Sequence, residues 1–184
     1  MSEDLSISLK ESLIEHGCLK FGEFTLKSGQ VSNYYIDLRL STYEPDLFHL
    51  TVESITSVIH NNYAPTQTTA ITGVPYGVVP VAAAVAYQSR LPYFPLRKET
   101  KEYGNKDSVV DLGGREFIVI EDVMTTGSSI IETIRKLAPG KVVLVIVIVD
   151  REQGGPENIK SMFPEVKVFS ILKASSLNNH VVAS

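Results

Sequence analysis

Apolar residues follow two different spacings along the chain, and the two alternate from about residue 45 onward. One spacing repeats every three to four residues, as in TGSSIIETIRKL at 126–137, whose apolar residues fall on one face of a helix. The other is an unbroken run of mostly β-branched residues, as in 117–120 and 142–149, which is typical of parallel strands buried on both faces. This alternation predicts an α/β fold with a mostly parallel central sheet flanked by helices.

The same patterns give the bounds of the predicted elements. Helices are predicted at about 4–17, 45–60, 78–88 and 126–137, with a further short helix after a polar turn beyond residue 150. Strands are predicted at 68–73, 92–96, 116–122, 141–150 and 165–172. One domain is predicted for residues 1–184, in which about 1–40 form the first helix and a small hood of extended segments, and about 173–184 form a polar tail.

Composition and charge narrow the possible classes. The chain has 184 residues, 43% of them hydrophobic and 21% charged, as expected of one globular domain with a sizeable core. Its net charge of −4 argues against nucleic acid or an anionic membrane as the main partner. The one cysteine, Cys18, allows neither an intrachain disulfide nor a zinc cluster and is predicted to be a packing residue. No signal-peptide pattern or apolar run of about 20 residues is present, which predicts a soluble, cytoplasmic protein.

The predicted strand 117–120 is followed by two acids and a turn rich in hydroxyl groups. Glu121 and Asp122 come first, and the turn consists of Thr125, Thr126, Gly127, Ser128 and Ser129. Ligands bind beyond the carboxyl ends of parallel strands, and a helix N-terminus offers free N–H groups to a phosphate. The two carboxylates would repel a bare phosphate but would accept hydrogen bonds from a sugar. A sugar-phosphate site is therefore predicted, with a plain helix cap beside solvated acids as the alternative.

A second candidate is the basic, turn-prone segment 97–106. It holds four basic and two acidic residues, a net charge of +2 in an acidic chain, together with a Gly-Asn pair. A solvated surface loop is one interpretation, and a flexible arm that closes over a polyphosphate is the other. Composition alone leaves both open.

Several motifs connect these segments to a known family. Neither GxxxxGK[ST] nor GxGxxG is present, so the common nucleotide-binding loops do not match. IVIEDVMTTGSS resembles the phosphoribosyl-pyrophosphate (PRPP) motif of type I phosphoribosyltransferases. FGEFTLKSGQVSNYYIDLR and RKETKEYG resemble the N-terminal signature and the mobile loop of orotate phosphoribosyltransferases. With GVPYG and DREQGG, the resemblance runs from about residue 10 to 172 and is strongest to the orotate phosphoribosyltransferase half of eukaryotic bifunctional UMP synthase.

The resemblance implies a type I phosphoribosyltransferase fold with a PRPP site. In the family, the basic loop closes over the pyrophosphate of PRPP, partly in the neighbouring subunit of a homodimer, and Lys98 would cross that interface. Lys101 is the expected main catalytic residue, with Asp122 and Lys98 beside it. The expected PRPP contacts are Lys27, Tyr76, Gly77, Arg97, Lys98, Lys101, Tyr103, Glu121, Asp122, Val123, Met124, Thr125, Thr126, Gly127, Ser128 and Ser129.

Two positions depart from the pattern of many bacterial members. Gly77 stands where they have lysine, so that cation is missing and the basic loop must carry more of the charge. Tyr103 stands where they have histidine, which excludes proton donation by an imidazole and leaves a hydrogen-bonding role. The loop that contains Tyr76 sometimes holds a non-proline cis peptide bond in this family.

The orotate site implied by the resemblance combines distant parts of the chain. Its expected contacts are Lys27, Tyr35, Ile36, Thr125 and Arg151. Arg151 suits a carboxylate because a planar guanidinium can bind one bidentately, and a structural ion pair is the alternative. For Tyr35, as for Tyr34, ordinary strand packing is the alternative.

The implied reaction transfers the 5-phosphoribosyl group from PRPP to orotate and gives orotidine 5′-phosphate and pyrophosphate in UMP biosynthesis. Mg²⁺ is the expected cofactor, bound through PRPP and water, with Asp122 as a candidate ligand. A fused or associated decarboxylase domain stays open. Two other functions also stay open: a phosphoribosyltransferase for another base, which FTLKSG and RKETKEYG disfavour, and a PRPP-sensing regulator, which the loop cations and the acidic charge disfavour.

Overall fold

The computed structural model describes residues 3–25, 31–97 and 112–177. The elements before the main sheet are α1 (Glu3–Glu15), β1 (Leu19–Thr25), β2 (Val31–Ile36), a 3₁₀ helix (Leu38–Thr42) and α2 (Pro45–Asn62). Strands β1 and β2 pair as an antiparallel two-stranded sheet. Helix α2 begins at Pro45, because the fixed φ of proline suits a first helical turn, where its missing N–H has no partner to lose.

The main sheet in the described residues has four parallel strands in the order β3, β4, β5, β6. The strands are β3 (Thr69–Gly73), β4 (Glu116–Met124), β5 (Lys141–Asp150) and β6 (Lys167–Lys173). The helices are α3 (Val79–Ser89), α4 (Ser128–Lys136), α5 (Gly155–Met162) and the short α6 (Ala174–Leu177). Strand β3 and most of β4 and β5 are buried, as their β-branched sequences require of inner parallel strands. The predicted α/β fold with a mostly parallel sheet is confirmed.

Two hydrophobic clusters cover the two faces of this sheet. Alternate residues of β4 enter different clusters, Ile118 one and Val119 the other, as strand geometry requires. Helices α1, α2 and α3 pack on the Ile118 face, and α4 and α5 on the Val119 face. Fully burying one such aliphatic side chain stabilises the fold by about 1.5–3 kcal/mol. The helices on both faces of the sheet therefore contribute to stability, because each set buries several such side chains. No helix in the described ranges is long and apolar enough to cross a membrane.

Cys18 lies between α1 and β1 and is fully buried in the larger cluster. Burial, followed by the nearby charges of Asp37 and Glu44, raises the pKa of its thiol to about 11. A thiol that stays protonated at neutral pH is a poor nucleophile. The packing role predicted for Cys18 agrees with this environment.

The segment 92–96 is not the strand that was predicted. Only Tyr93 forms a bridge, parallel to Ile71, and the Ile71 N–H donates to the Pro92 carbonyl oxygen at 2.8 Å. Pro92 has no N–H group, so the ladder cannot extend from this bridge toward the start of β3.

Several bounds also differ from the prediction by one or two residues, and three of the differences have a clear structural reason. Helix α1 ends at Glu15, two residues early, since Gly17 has φ +70° and leaves the helical region. Strand β4 continues to Met124, because its last residues pair with β5. The predicted tail begins with α6, in which Ala174 and Leu177 are buried.

Candidate active site

Successive segments of the chain are added to the sheet first on one side of β3 and then on the other. The chain leaves β3 through α3, reaches the free side of β3 at Tyr93, and then crosses to β4 on the other side. Strands β5 and β6 follow in order beyond β4. At such a reversal, the loops after the two neighbouring strands diverge and open a crevice at their carboxyl ends. The loop 74–78 and the end of β4 line this crevice, where the acidic pair and the hydroxyl-rich turn were expected to act.

The turn between β4 and α4 encloses a cavity of about 50 Å³ lined by residues 121 and 123–130. Gly127 begins α4 with φ +79°, a left-handed conformation that favours glycine. Among the described residues no side chain caps this helix: its N-cap residue is Gly127, and the neighbouring Thr126 and Ser128 hydroxyls hydrogen-bond each other at 2.8 Å. Asn158 of α5 donates to the Thr126 carbonyl oxygen at 3.1 Å and supports the turn. The helix-cap alternative is therefore not supported, and the first N–H groups of α4 are available to an anion.

Glu121 and Asp122 are adjacent but occupy different environments. Glu121 is only 6% exposed, and its Oε1 accepts a hydrogen bond from the Asp122 N–H at 3.2 Å. Asp122 is half-buried, and its Oδ1 accepts from the Val123 N–H at 2.8 Å. Asp122 Oδ2 lies against Gly77 of the loop after β3, where a β-carbon would overlap that oxygen. The loop after β3 therefore approaches Asp122 this closely because residue 77 has no side chain.

The pKa of Glu121 is raised to about 9. Burial is the main cause, and the hydrogen bond and charge of Asp122 contribute to the same increase. Glu121 is therefore neutral at pH 7 in the unliganded chain and can donate a hydrogen bond as well as accept one. A protonated acid and a second carboxyl group side by side suit the hydroxyl pair of a sugar, since each hydroxyl both donates and accepts.

Replacing Glu121 with glutamine is expected to stabilise the chain at pH 8 more than at pH 5. The folded chain holds the Glu121 proton up to about pH 9, while the unfolded chain loses it near 4.5, so the free energy of unfolding falls as pH rises through this window. Glutamine removes that loss. The free energy of unfolding of the variant minus that of wild type should therefore increase by roughly 2–4 kcal/mol from pH 5 to pH 8. Urea unfolding at both pH values measures it.

The exposed Glu165→Gln change is the matched control. Its effect on the free energy of unfolding should be small and equal at both pH values. A Glu121→Gln difference that does not change with pH would show that Glu121 is ionised in the folded chain.

Arg151 follows β5 and connects the main sheet to β2. Its backbone N–H donates to the Met124 carbonyl oxygen at 2.9 Å. In the side chain, Nη2 donates to Ser32 Oγ at 3.0 Å, and the guanidinium lies 4.6 Å from the centre of the Tyr34 ring. Its Nε is buried without a hydrogen-bond partner in the described part of the chain. No carboxylate pairs with Arg151 there either, so the structural ion pair is not found among these residues. An unpaired buried donor on a cation is costly and indicates a place for an acceptor on a ligand.

The other expected orotate contacts in the described residues are on β2 and in the β4–α4 turn. Tyr35 is 39% exposed and packs against Phe24, with ring centroids 5.6 Å apart. Ile36 is half-buried against the larger cluster, and Thr125 is exposed at the turn. Tyr35 thus offers a ring face at the surface, while the side chain of Ile36 contributes mainly to packing.

The remaining expected PRPP contacts in the described residues flank the crevice. Tyr76 is 65% exposed, and the peptide bond between Pro75 and Tyr76 is cis, a feature noted above for this family. Arg97 is exposed and lines a cavity of about 80 Å³ together with Pro75 and Ser129. The basic segment therefore starts beside the first turn of α4.

Four expected residues, Lys27, Lys98, Lys101 and Tyr103, lie outside the described residues. Their roles stay predictions from the sequence.

Ser32, Asp37 and Arg39 were not expected in the site. Asp37 and Arg39 form a two-point ion pair, and Arg39 also lies near Gly77 and Asp122. In the sequence, Asp37 and Arg39 are only an acidic and a basic residue two positions apart, a pattern too common to indicate a site. The contact with Gly77 brings together segments about 40 residues apart, which periodicity cannot show.

The described residues contain no group of three or more His, Cys, Asp or Glu side chains that could hold a metal ion. Asp122 offers carboxylate oxygens at the crevice, which are suitable ligands for Mg²⁺, whereas the buried, protonated Glu121 is not. This donor set cannot form a complete cage. It fits a Mg²⁺ whose other ligands are phosphate oxygens and water, as Mg²⁺ sites commonly are.

Comparisons of sequence identify the family. The model of the phosphoribosyl transferase domain matches residues 43–177. The orotate phosphoribosyltransferase of Methanocaldococcus jannaschii is 36% identical over 161 residues, which cover 85% of this chain and 89% of that protein.

Solved structures agree with this match. The UMP synthase of Leishmania donovani superposes with a TM-score of 0.76 at 27% identity, covering 94% of this chain and 37% of that one. The orotate phosphoribosyltransferase of Mycobacterium tuberculosis, solved in complex with PRPP, gives a TM-score of 0.71 at 25% identity, covering 95% and 99%. The fold and the match to the phosphoribosyl transferase domain together define a phosphoribosyltransferase. Within that class, the chain belongs to the orotate phosphoribosyltransferases.

Proposed function

We propose that the crevice at the ends of β3, β4 and β5 transfers the 5-phosphoribosyl group from PRPP to orotate, giving orotidine 5′-phosphate and pyrophosphate. The curated relative that is 36% identical carries this activity in its name. The observation that supports orotate most directly is the buried Nε of Arg151, which has no partner in the described residues. A carboxylate on the base can accept from this guanidinium, whose hydrogen bonds the described residues leave incomplete.

The proposed binding mode assigns one part of the ligand to each strand end. The turn Thr125–Ser129 holds the 5′-phosphate through the N–H and hydroxyl groups at the start of α4. Glu121 and Asp122 hold the ribose hydroxyls. The base lies toward β5 and β2, against Arg151 and Tyr35, and the pyrophosphate lies toward the loop after β3.

Positioning and electrostatics carry the proposed chemistry. A ring nitrogen of orotate attacks C1 of the ribose while the bond from C1 to pyrophosphate breaks, so positive charge develops on the sugar and negative charge on the leaving group. Asp122 stabilises the first, and the cations of segment 97–106 stabilise the second. Bound Mg²⁺, held by the ligand with Asp122 as a candidate contact, would neutralise pyrophosphate charge.

Other parts of the proposal rest on the sequence alone. The resemblance suggests a homodimer in which Lys98 reaches the neighbouring site, and an N-terminal hood. Length and composition suggest a single domain over 1–184, and a cytoplasmic location is proposed as well. Association with an orotidine-5′-phosphate decarboxylase domain is proposed only from the resemblance of the motifs to bifunctional UMP synthase.

The substrate assignment is tested by measuring pyrophosphate release from PRPP with Mg²⁺ and one base at a time. Orotate, uracil, hypoxanthine and adenine are compared at equal concentration. The proposal expects turnover with orotate only. Turnover with another base would overturn the orotate assignment, and tight PRPP binding without any turnover would favour a sensor.

Replacing Arg151 with glutamine is expected to raise the KM for orotate by about 10- to 100-fold, because charge-assisted hydrogen bonds to the orotate carboxylate are lost. The KM for PRPP should change less than about 3-fold, since the turn and the acidic pair are intact. Steady-state kinetics with each substrate varied in turn measures both constants. Arg135→Gln is the control, because Arg135 is exposed at the far end of α4. Equal increases in the two KM values would contradict a specific contact with orotate.

A further inference from the structure

Arg39 is held in one orientation at the mouth of the crevice. Its Nε donates to Asp37 Oδ1 at 2.7 Å and its Nη2 donates to Asp37 Oδ2 at 2.6 Å, a two-point pair that fixes the plane of the guanidinium. The hydrogen bond from Arg39 holds the pKa of Asp37 below its ordinary value. The Arg39 side chain is 68% exposed, whereas that of Asp37 is 18% exposed. Asp37 is therefore the inner partner, and the outer edge of the guanidinium, with Nη1, faces away from it.

The position of Arg39 relates it to the loop after β3. Its Cγ is 3.9 Å from the point that a β-carbon of Gly77 would occupy, and Asp122 Oδ2 lies close to the same point. The charge of Asp122 also contributes to a raised Arg39 pKa, after that of Asp37 and Tyr35. Position 77, which has no side chain of its own, thus lies beside the aliphatic part of the Arg39 side chain from the 3₁₀ helix and beside the Asp122 carboxylate of β4.

The order of the strands decides which part of a ligand Arg39 can meet. The ribose site at Asp122 ends β4, the base site at Arg151 ends β5, and Gly77 follows β3 on the opposite side of β4. A ligand with its ribose at Asp122 and its base toward β5 must place the other substituent of C1 toward β3. In the reaction proposed above, that substituent is pyrophosphate, which carries several negative charges and loses its bond to C1.

We propose that Arg39 is a contact of the pyrophosphate group, oriented by Asp37, at the side of the crevice formed by Gly77. This inference rests on the proposed function for the identity of the ligand. Arg39 binds the pyrophosphate oxygens through the outer edge of its guanidinium while Asp37 keeps the inner edge. Asp37 is a positioning residue, since it acts through Arg39.

Arg39→Gln is expected to weaken binding of free pyrophosphate, measured by calorimetry with Mg²⁺ and without base, by about 10- to 100-fold. The KM for PRPP should rise by a similar factor, and the KM for orotate by less than about 3-fold. Arg39→Lys keeps the charge but not the fork, so an intermediate loss of about 3- to 10-fold is expected. Asp37→Asn should give a loss of similar size, because it frees the guanidinium without removing it.

Arg135→Gln is the matched control and should leave pyrophosphate binding unchanged. Unchanged pyrophosphate binding in Arg39→Gln, or a KM increase confined to orotate, would overturn the proposal. If Arg39→Gln lowers the melting temperature, the test rests on Arg39→Lys and Asp37→Asn instead. Pyrophosphate binding as tight as that of wild type in both of these variants would also overturn the proposal. The calorimetric arm contains no base, so failure of orotate turnover would refute the proposed function separately from the role of Arg39.

Discussion

Replacing Lys101 with alanine is expected to lower kcat for orotidine 5′-phosphate formation about 10³-fold. The leaving pyrophosphate gains negative charge as its bond to the ribose breaks, so a cation that reaches it stabilises the transition state more than bound PRPP. The structure adds a reason for a large effect: Gly77 supplies no side chain to the side of the crevice proposed for pyrophosphate, while Arg97 places the start of the basic segment beside α4. The KM for PRPP should rise much less than kcat falls.

Lys106→Ala is the matched control, since it removes the same charge from the same segment at a position for which a solvated surface role is predicted. Steady-state kinetics of both variants should differ by at least about 100-fold in kcat. Equal losses in the two variants would mean that the net charge of the segment matters, with no specific role for Lys101.

Replacing Asp122 with asparagine is expected to lower kcat/KM for PRPP by about 10²–10³-fold. The change keeps size and shape but removes the charge that faces the ribose, where positive charge develops as the bond to pyrophosphate breaks. Asparagine also places an amide group where a carboxylate oxygen now accepts from Val123 N–H or lies against Gly77. The KM for orotate should change little, because Arg151 and β2 are untouched.

The control for this variant is Asp46→Asn, the same exchange at an exposed position in the first turn of α2. Full activity of Asp46→Asn beside a large loss in Asp122→Asn is the expected pair of results. A loss below about 3-fold in Asp122→Asn would contradict a role of this carboxylate in the transition state.

The sequence predicted those parts of the fold that depend on local patterns. Strand β5 and helix α4 follow directly from an unbroken apolar run and a helical spacing, and both lie close to their predicted bounds. The strand predicted at 92–96 was wrong: its apolar residues suggested a strand, whereas only Tyr93 forms a bridge, and Pro92 has no N–H group to extend the pairing toward the start of β3. The 3₁₀ helix was missed, since five residues are too few for a periodic signal.

The candidate site was predictable where it is continuous in sequence. Glu121 to Ser129 form one strand end and one turn, so their proximity needs only the rule for parallel sheets. The Arg151 contact with Ser32 joins residues 119 positions apart, and the approach of Arg39 to Gly77 depends on how the 3₁₀ helix packs. The buried state of Glu121, which raises its pKa, likewise depends on packing that no local pattern reveals.

Product identification tests the central claim most directly. The chain is incubated with PRPP, orotate and Mg²⁺, and the amounts of orotate consumed, orotidine 5′-phosphate formed and pyrophosphate released are measured by chromatography with mass spectrometry. Transfer at the proposed site predicts equal amounts of all three. Pyrophosphate released without orotidine 5′-phosphate, or PRPP bound and left intact in the presence of orotate, would contradict it.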